Sequence, residues 1–184
     1  MAEPDHNSGI GPWARHYNHL LSQSELNREL VLNEALRPAE DEPSSVLSLA
    51  QCLEQPSLLL DQVGTDYPDN TGTRAVRALV SVLQQDLALS VIAPLTLRLF
   101  RDGEAPLPDA NRIFLAPMDQ KSQTTSRWFQ VPGGEPVGER TFVQSVGEMT
   151  AQWYPIFRRQ LGVSPGAYWS SIGLGLGAPF SAVW

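Results

Sequence analysis

The stretch from Thr73 to Phe100 constrains the fold most, because it is the longest part of the chain without a loop signal. Apolar residues recur in it at three- and four-residue steps, as they do along one face of a helix: Val76, Leu79, Val80, Leu83, Leu87, Val91 and Leu95. Further apolar residues widen this face until little polar surface remains. The pattern therefore predicts a helix that is buried inside a bundle.

Short signals mark the ends of this central helix and one interruption inside it. Thr73 is the expected N-cap, and Asp102-Gly103 is the expected C-terminal stop. Pro94 lies within the run, where its ring clashes with the preceding turn and removes a backbone donor. A kink or a split of the helix is therefore predicted at Pro94.

The chain is predicted to have an N-terminal region, residues 1–45, and a helical domain, residues 46–184. The N-terminal region consists of a polar arm, a helix from Trp13 to Leu36 and a linker rich in proline and acidic residues. Ser22 and Glu25 match a capping box, so a helix is expected to restart there.

The domain begins with two short predicted helices, one from Val46 to Glu54 and one that starts at Pro56. Two runs with strand character, Arg112 to Ala116 and Arg127 to Val131, predict a small hairpin near residues 112–131. The predicted fold is mainly α with a small β-hairpin (α+β), a helical bundle around the proline-kinked central helix.

Two further helices are predicted after the hairpin. The first runs from Glu139 to Leu161 and is expected to be interrupted at Pro155. The second starts with Ser164 as its cap and Pro165 at its first position. The glycines at 173, 175 and 177 resemble part of a dinucleotide-binding fingerprint, but no strand precedes them, so close helix packing is the favoured interpretation.

Composition limits the classes of partner. The 184-residue chain has a formal net charge of −7, which disfavours nucleic acid and anionic membranes as partners. Gln84, Gln85 and Asp86 interrupt the central apolar run, and the remainder is predicted to be too short to span a bilayer. With no signal peptide at the N-terminus, a cytoplasmic protein without stable membrane insertion is predicted.

Few residues indicate metal or redox chemistry. Cys52 is the single cysteine of the sequence and cannot by itself hold a zinc ion or an iron–sulfur cluster. His16 and His19 share a helix face, which permits a metal pair, although an exposed polar face is the favoured interpretation. Chain composition alone therefore supports no cofactor.

A cationic and aromatic pocket is one interpretation of the last third of the chain. Arg158 and Arg159 lie near Trp153, Tyr154 and Trp169 in the sequence, and together they suit an anionic or chelated ligand. The alternative is that the two arginines form a solvated helix end.

Three stretches resemble the FhuF-type ferric-siderophore reductases, over about residues 45 to 184. The first is Leu-Ser-Leu-Ala-Gln at residues 47–51, followed by Pro56. The second is Val-Ile-Ala-Pro-Leu at residues 91–95. The third is the helix from Val143 to Trp153 with Tyr-Trp-Ser-Ser-Ile-Gly at residues 168–173, where Ser171 stands in place of the family's asparagine.

The resemblance implies a cytoplasmic enzyme that releases iron by one-electron reduction of an imported ferric hydroxamate siderophore, with an electron donor as partner. It also implies a [2Fe–2S] cluster, whose cysteine ligands are absent from this sequence. Trp153, Arg158, Trp169 and Ser171 are the expected substrate-binding residues.

The missing cysteines leave two interpretations open. In the first, the chain covers only the part of a reductase that precedes the cluster segment, which the uncapped ending at Trp184 favours. In the second, it is a cluster-less relative that binds a siderophore or another protein without catalysis. Whether the chain is an enzyme depends on which of these holds.

Overall fold

The computed structural model describes residues 47–120 and 123–183. Over these residues the chain is mainly helical and carries small antiparallel sheets, which confirms the predicted fold class. The predictions for the N-terminal arm, the Trp13 to Leu36 helix, the linker and the histidines fall on residues outside the described ranges.

The described elements follow one another in a simple order. The helices are α1 (Leu49–Glu54), α2 (Ser57–Asp66), α3 (Thr73–Leu87), a π-helical turn (Ala88–Ile92), α4 (Ala93–Asp102), α5 (Glu139–Arg159) and α6 (Pro165–Val183). The strands are β1 (Leu47–Ser48), β2 (Glu104–Pro106), β3 (Ile113–Gln120), β4 (Gln123–Gln130) and β5 (Pro136–Gly138).

Helix α3, the π-helical turn and α4 form one continuous helix of 30 residues, Thr73–Asp102. The helix is not split at Pro94, and its wider π-helical turn ends two residues before this proline. Gly103 ends the helix in the left-handed conformation, as predicted. The predicted N-cap is wrong, because Gly72 occupies that position and Thr73 is already the first helical residue.

The central helix is buried unevenly. From Ala88 to Leu99 the side chains are buried except for the exposed Leu89 and the half-buried Pro94 and Arg98, because β4 and α6 pack against this half. In α3 the burial is one-sided, and Val82 is 57% exposed. The predicted all-round burial is therefore confirmed for the second half only.

The length and apolar content of the central helix contradict one prediction about membranes. By length and apolar content alone it is able to cross a membrane, with a mean hydropathy of 1.5 over its most apolar window, contrary to the prediction that the run is too short. Of that window, 56% is buried inside the protein, and the buried core helix of a globular protein has the same properties.

The predicted hairpin is confirmed and is longer than expected. Strands β3 and β4 pair in antiparallel register from Ile113 with Gln130 to Gln120 with Gln123. The start of the domain was predicted wrongly, because Leu47 and Ser48 form β1 and pair with β3 instead of beginning a helix. Ser48 and Gln51 then form a capping box that starts α1.

The outer edge of β4 faces the helices and is closed by two carboxylates. The backbone N–H of Ser126 donates to Asp66 Oδ2 at 3.2 Å, and that of Trp128 donates to Asp86 Oδ2 at 3.0 Å. The Trp128 ring N–H donates to the backbone carbonyl of Leu83 at 3.0 Å. These bonds hold the sheet against α2 and α3 and leave fewer edge groups open to another strand.

Helix α5 passes through Pro155 without interruption, so the predicted break is wrong. Proline removes the donor for the carbonyl of Ala151, but both residues lie on the exposed side of the helix, where water is able to satisfy that carbonyl. The predicted start of α6 is confirmed, because Ser164 Oγ accepts a hydrogen bond from Ala167 N–H at 3.2 Å.

Gly175 explains part of the glycine-rich pattern in α6. A Cβ at this position would lie 2.9 Å from the backbone oxygen of Ala88 and 3.2 Å from the Ile92 side chain. The glycine thus lets α6 pack closely on the π-helical turn, as the sequence predicted. Gly173 faces open space and is not explained by this contact.

Candidate functional site

Three aromatic rings meet where α5 packs against the start of α6. The ring centroids of Tyr154 and Tyr168 are 5.1 Å apart, those of Tyr154 and Trp169 are 5.2 Å apart, and those of Tyr168 and Trp169 are 5.0 Å apart. These separations are typical of attractive aromatic contacts. The cluster joins α5 and α6, the two helices that contain the predicted substrate-binding residues.

Tyr168 fixes the inner side of this cluster. Its hydroxyl donates to the backbone oxygen of Thr150 at 2.6 Å, and its side chain is fully buried. Burial also raises the pKa of the Tyr168 hydroxyl above its ordinary value, so this group stays protonated and remains a donor at neutral pH. A ring held in this way gives Trp169 and Tyr154 a rigid support.

Trp169 is the exposed member of this aromatic cluster. Its side chain is 42% exposed, while the Tyr154 ring beside it is half-buried. The indole is supported from two sides by tyrosine rings, so little conformational freedom remains to be lost when a ligand contacts it. Exposed tryptophan of this kind is enriched among residues that dominate binding energies.

Arg158 adds a charge to this surface. It follows Tyr154 by four residues on α5, so the two side chains lie on the same helix face. Arg158 is exposed and has no carboxylate partner within the described ranges 47–120 and 123–183. We call Tyr154, Arg158 and Trp169 the aromatic–arginine platform.

The other two predicted site residues lie inside the protein. Trp153 is 5% exposed and belongs to the apolar core. Ser171 is also 5% exposed, and its hydroxyl donates to the backbone oxygen of Ala167 at 2.7 Å within its own helix. The structure therefore places Trp169 against Tyr154, which shares a helix face with Arg158, whereas Trp153 and Ser171 are buried and do not belong to that surface.

Tyr154 was not among the expected substrate-binding residues, although it contacts Trp169 and shares a helix face with Arg158. The signal for this role was its four-residue spacing to Arg158, which places both on one helix face. Its contact with Trp169 depends on how α5 and α6 pack, and no local pattern encodes that.

The residues of the chain do not fit a [2Fe–2S] cluster. A cluster of this type takes several thiolate ligands, and Cys52 is the single cysteine of the sequence. Cys52 is buried, and burial raises the pKa of its thiol to about 11, which keeps it protonated at neutral pH. Among the residues that the structure describes, no three His, Cys, Asp or Glu side chains group together as metal ligands.

Comparisons with protein-family models, with curated proteins and with solved structures find no match for this chain. The resemblance to FhuF-type reductases therefore stays a prediction that rests on the three short stretches described above.

Proposed function

We propose that this chain is a cytoplasmic siderophore-binding protein that holds a ferric hydroxamate complex on the aromatic–arginine platform. The observation that carries the proposal is the exposed Trp169 ring, which is braced by Tyr154 and Tyr168. Arg158 lies one helical turn from Tyr154 and forms no ion pair with any residue in ranges 47–120 and 123–183. The order of the sequence stretches supports the ligand class, because it resembles proteins that act on such complexes.

The chemistry of the ligand suits this surface. Iron(III) is a hard ion that hydroxamate oxygens bind tightly, so a ferric hydroxamate presents an oxygen-rich rim on an apolar body. The Arg158 guanidinium would donate hydrogen bonds to the rim oxygens. The exposed indole of Trp169 would contact the apolar body.

Binding is the part of the reductase reaction that the residues of this chain are able to perform. Iron(II) binds hydroxamates far more weakly than iron(III), so a one-electron reduction of the bound complex would release the metal. The electron would have to come from a separate donor, because the single buried cysteine supports no cluster. A binding module without catalysis is the alternative that this observation favours.

Titration of the full chain with a ferric hydroxamate tests the proposal, with affinity measured by calorimetry and by visible absorption. Trp169→Ala is expected to weaken binding about tenfold or more, because it removes the central contact surface. Arg158→Ala is expected to weaken binding by about threefold to tenfold, because it removes a charged donor.

Leu174→Ala and Arg140→Ala are the matched controls. Leu174 is also an exposed apolar residue of α6, and Arg140 is an exposed arginine at the other end of α5. Both controls should bind as the parent chain does. If they weaken binding as much as the platform variants, the platform is not the site. If no ferric hydroxamate binds the parent chain, the iron function is wrong.

A further inference from the structure

A second surface feature lies at the C-terminal end of α5. It is an open cavity of about 320 Å³ between α2, the start of α3 and the turn that follows α5. Two arginines, two threonines and one glutamine provide its polar side chains: Arg77, Arg159, Thr71, Thr73 and Gln160. Leu60 and Leu161 contribute to an apolar wall.

The Arg77 side chain packs against Gly162, whose backbone has a positive φ. Gly162 has a φ of +73°, and a Cβ at this residue would lie 2.8 Å from Arg77 Nε. The Arg77 side chain thus passes so close to Gly162 that the Cβ of any other residue at position 162 would clash with it. Arg77 lines the cavity from α3, and Arg159 lines it from the end of α5.

The two guanidinium groups have no counter-charge in the described part of the chain. Neither Arg77 nor Arg159 forms an ion pair there, and none of the residues that line the cavity is acidic. This is unexpected in a protein with a net charge of −7, in which carboxylates outnumber arginines and lysines. Two like charges that face one space repel each other unless an anion lies between them.

The remaining polar groups of the cavity are also suited to an anion. The Thr71 and Thr73 hydroxyls are able to donate hydrogen bonds, and Gly72 gives α3 no side-chain cap. The N–H groups of the first turn of α3 are therefore additional donors on this side, where the helix dipole favours negative charge.

We propose that this cavity binds a small phosphate-bearing molecule, with its phosphate between the Arg77 and Arg159 guanidinium groups. The fork of each guanidinium matches two phosphate oxygens, and a dianion balances both charges. The apolar wall around Leu60 and Leu161 would contact a small organic part of the ligand. At about 320 Å³ the cavity is at the small end of ligand pockets, so it suits a compact molecule.

The proposal is independent of the siderophore function, since the cavity and the platform have no residue in common. It is tested by calorimetric titration of the full chain with inorganic phosphate and with phenyl phosphate, in a phosphate-free buffer of low ionic strength. Both probes are expected to bind, and phenyl phosphate should bind more tightly because of the apolar wall.

Variants of the two arginines provide the decisive comparison. Arg77→Gln and Arg159→Gln are each expected to weaken phosphate binding at least tenfold, and the double variant should show no binding. Arg74→Gln is the matched control, because Arg74 is an exposed arginine in the first turn of α3 that does not line the cavity. This control should change the affinity less than twofold.

Three outcomes would overturn the proposal. The first is that neither probe binds, and the second is that Arg74→Gln loses as much phosphate affinity as the variants of Arg77 and Arg159. The third is that acetate binds as tightly as phosphate, which would indicate a site for carboxylate ligands. Arg77 contacts the Gly162 turn, so its replacement is able to disturb folding. Arg159→Gln removes an exposed side chain and tests the proposal by itself.

Discussion

Arginine occurs in two contrasting settings in this protein. Arg127 on β4 pairs with Asp86 on α3, where its Nε lies 2.9 Å from Asp86 Oδ1. Arg77 and Arg159 line a cavity and have no carboxylate partner in ranges 47–120 and 123–183. The contrast separates charges that hold the fold together from charges that are available to a ligand.

The paired setting is a small, fully bonded network. Asp86 accepts hydrogen bonds from Arg127, from the Ser90 hydroxyl at 2.9 Å and from the Trp128 backbone N–H at 3.0 Å. The Arg127 guanidinium also donates to Ser90 Oγ at 3.0 Å. Since Ser90 lies in the π-helical turn, the network joins the sheet edge to the most irregular part of the central helix.

The largest effect is expected from Asp86→Ala. This change removes the acceptor of three donors, one of which is a backbone N–H at the edge of β4. Because the Asp86 side chain is only 16% exposed, water replaces these bonds poorly. We expect the free energy of unfolding to fall by about 3 kcal/mol, measured by urea denaturation.

Asp102→Ala is the control for this prediction. Asp102 pairs with Arg101 at 2.9 Å, but its side chain is 47% exposed, so the loss should be below about 1 kcal/mol. Equal losses in the two variants would mean that the Asp86 network does not stabilise the fold.

A smaller loss is expected from Arg127→Gln. Asp86 would keep the donors of Ser90 and Trp128 and would lose its charged partner. The free energy of unfolding should fall by about 1 to 2 kcal/mol, because the ion pair is only partly screened by solvent. Arg140→Gln, at an exposed position without a carboxylate partner in the described ranges, should change it by less than about 0.5 kcal/mol.

The smallest effect is expected from Arg159→Gln in the absence of phosphate. The change removes a charge of the same sign as that of Arg77 from the cavity, but it also removes a favourable cation from the last turn of α5. The two contributions oppose each other, so the free energy of unfolding should change by less than about 0.5 kcal/mol. A loss as large as that of Arg127→Gln would show that Arg159 serves the fold, and the contrast between the two settings would fail.

Local sequence signals predicted most helix and strand positions but were weaker at the interruptions. Gly103, Ser164 and the hairpin were predicted correctly, because caps and strand patterns act over a few residues. Pro155 was expected to break α5, yet its exposed position lets the helix continue. Strand β1 was missed because a strand of two residues is too short to show an alternating pattern of apolar and polar residues. Only its pairing with β3 defines it.

The candidate sites also contain residues that the sequence predicted correctly and residues that it did not. The sequence identified Arg158 and Trp169, which the structure places on one surface through Tyr154. It also selected Trp153 and Ser171, whose residue types suit binding but whose helix faces turn inward. It gave no indication of Arg77, since nothing near that residue in the chain marks it as the neighbour of Arg159 in a cavity.

The sequence by itself determined the fold class, the acidic character and the absence of thiolate ligands, because each follows from composition or from periods of a few residues. The tertiary structure decided which arginines pair with a carboxylate and which line a cavity. Arg127 contacts Asp86 across 41 positions of the chain, and Arg77 and Arg159 line one cavity only because α3 lies beside the turn after α5. Whether such a charge stabilises the fold or is available to a ligand depends on packing between distant segments, and no local pattern specifies that packing.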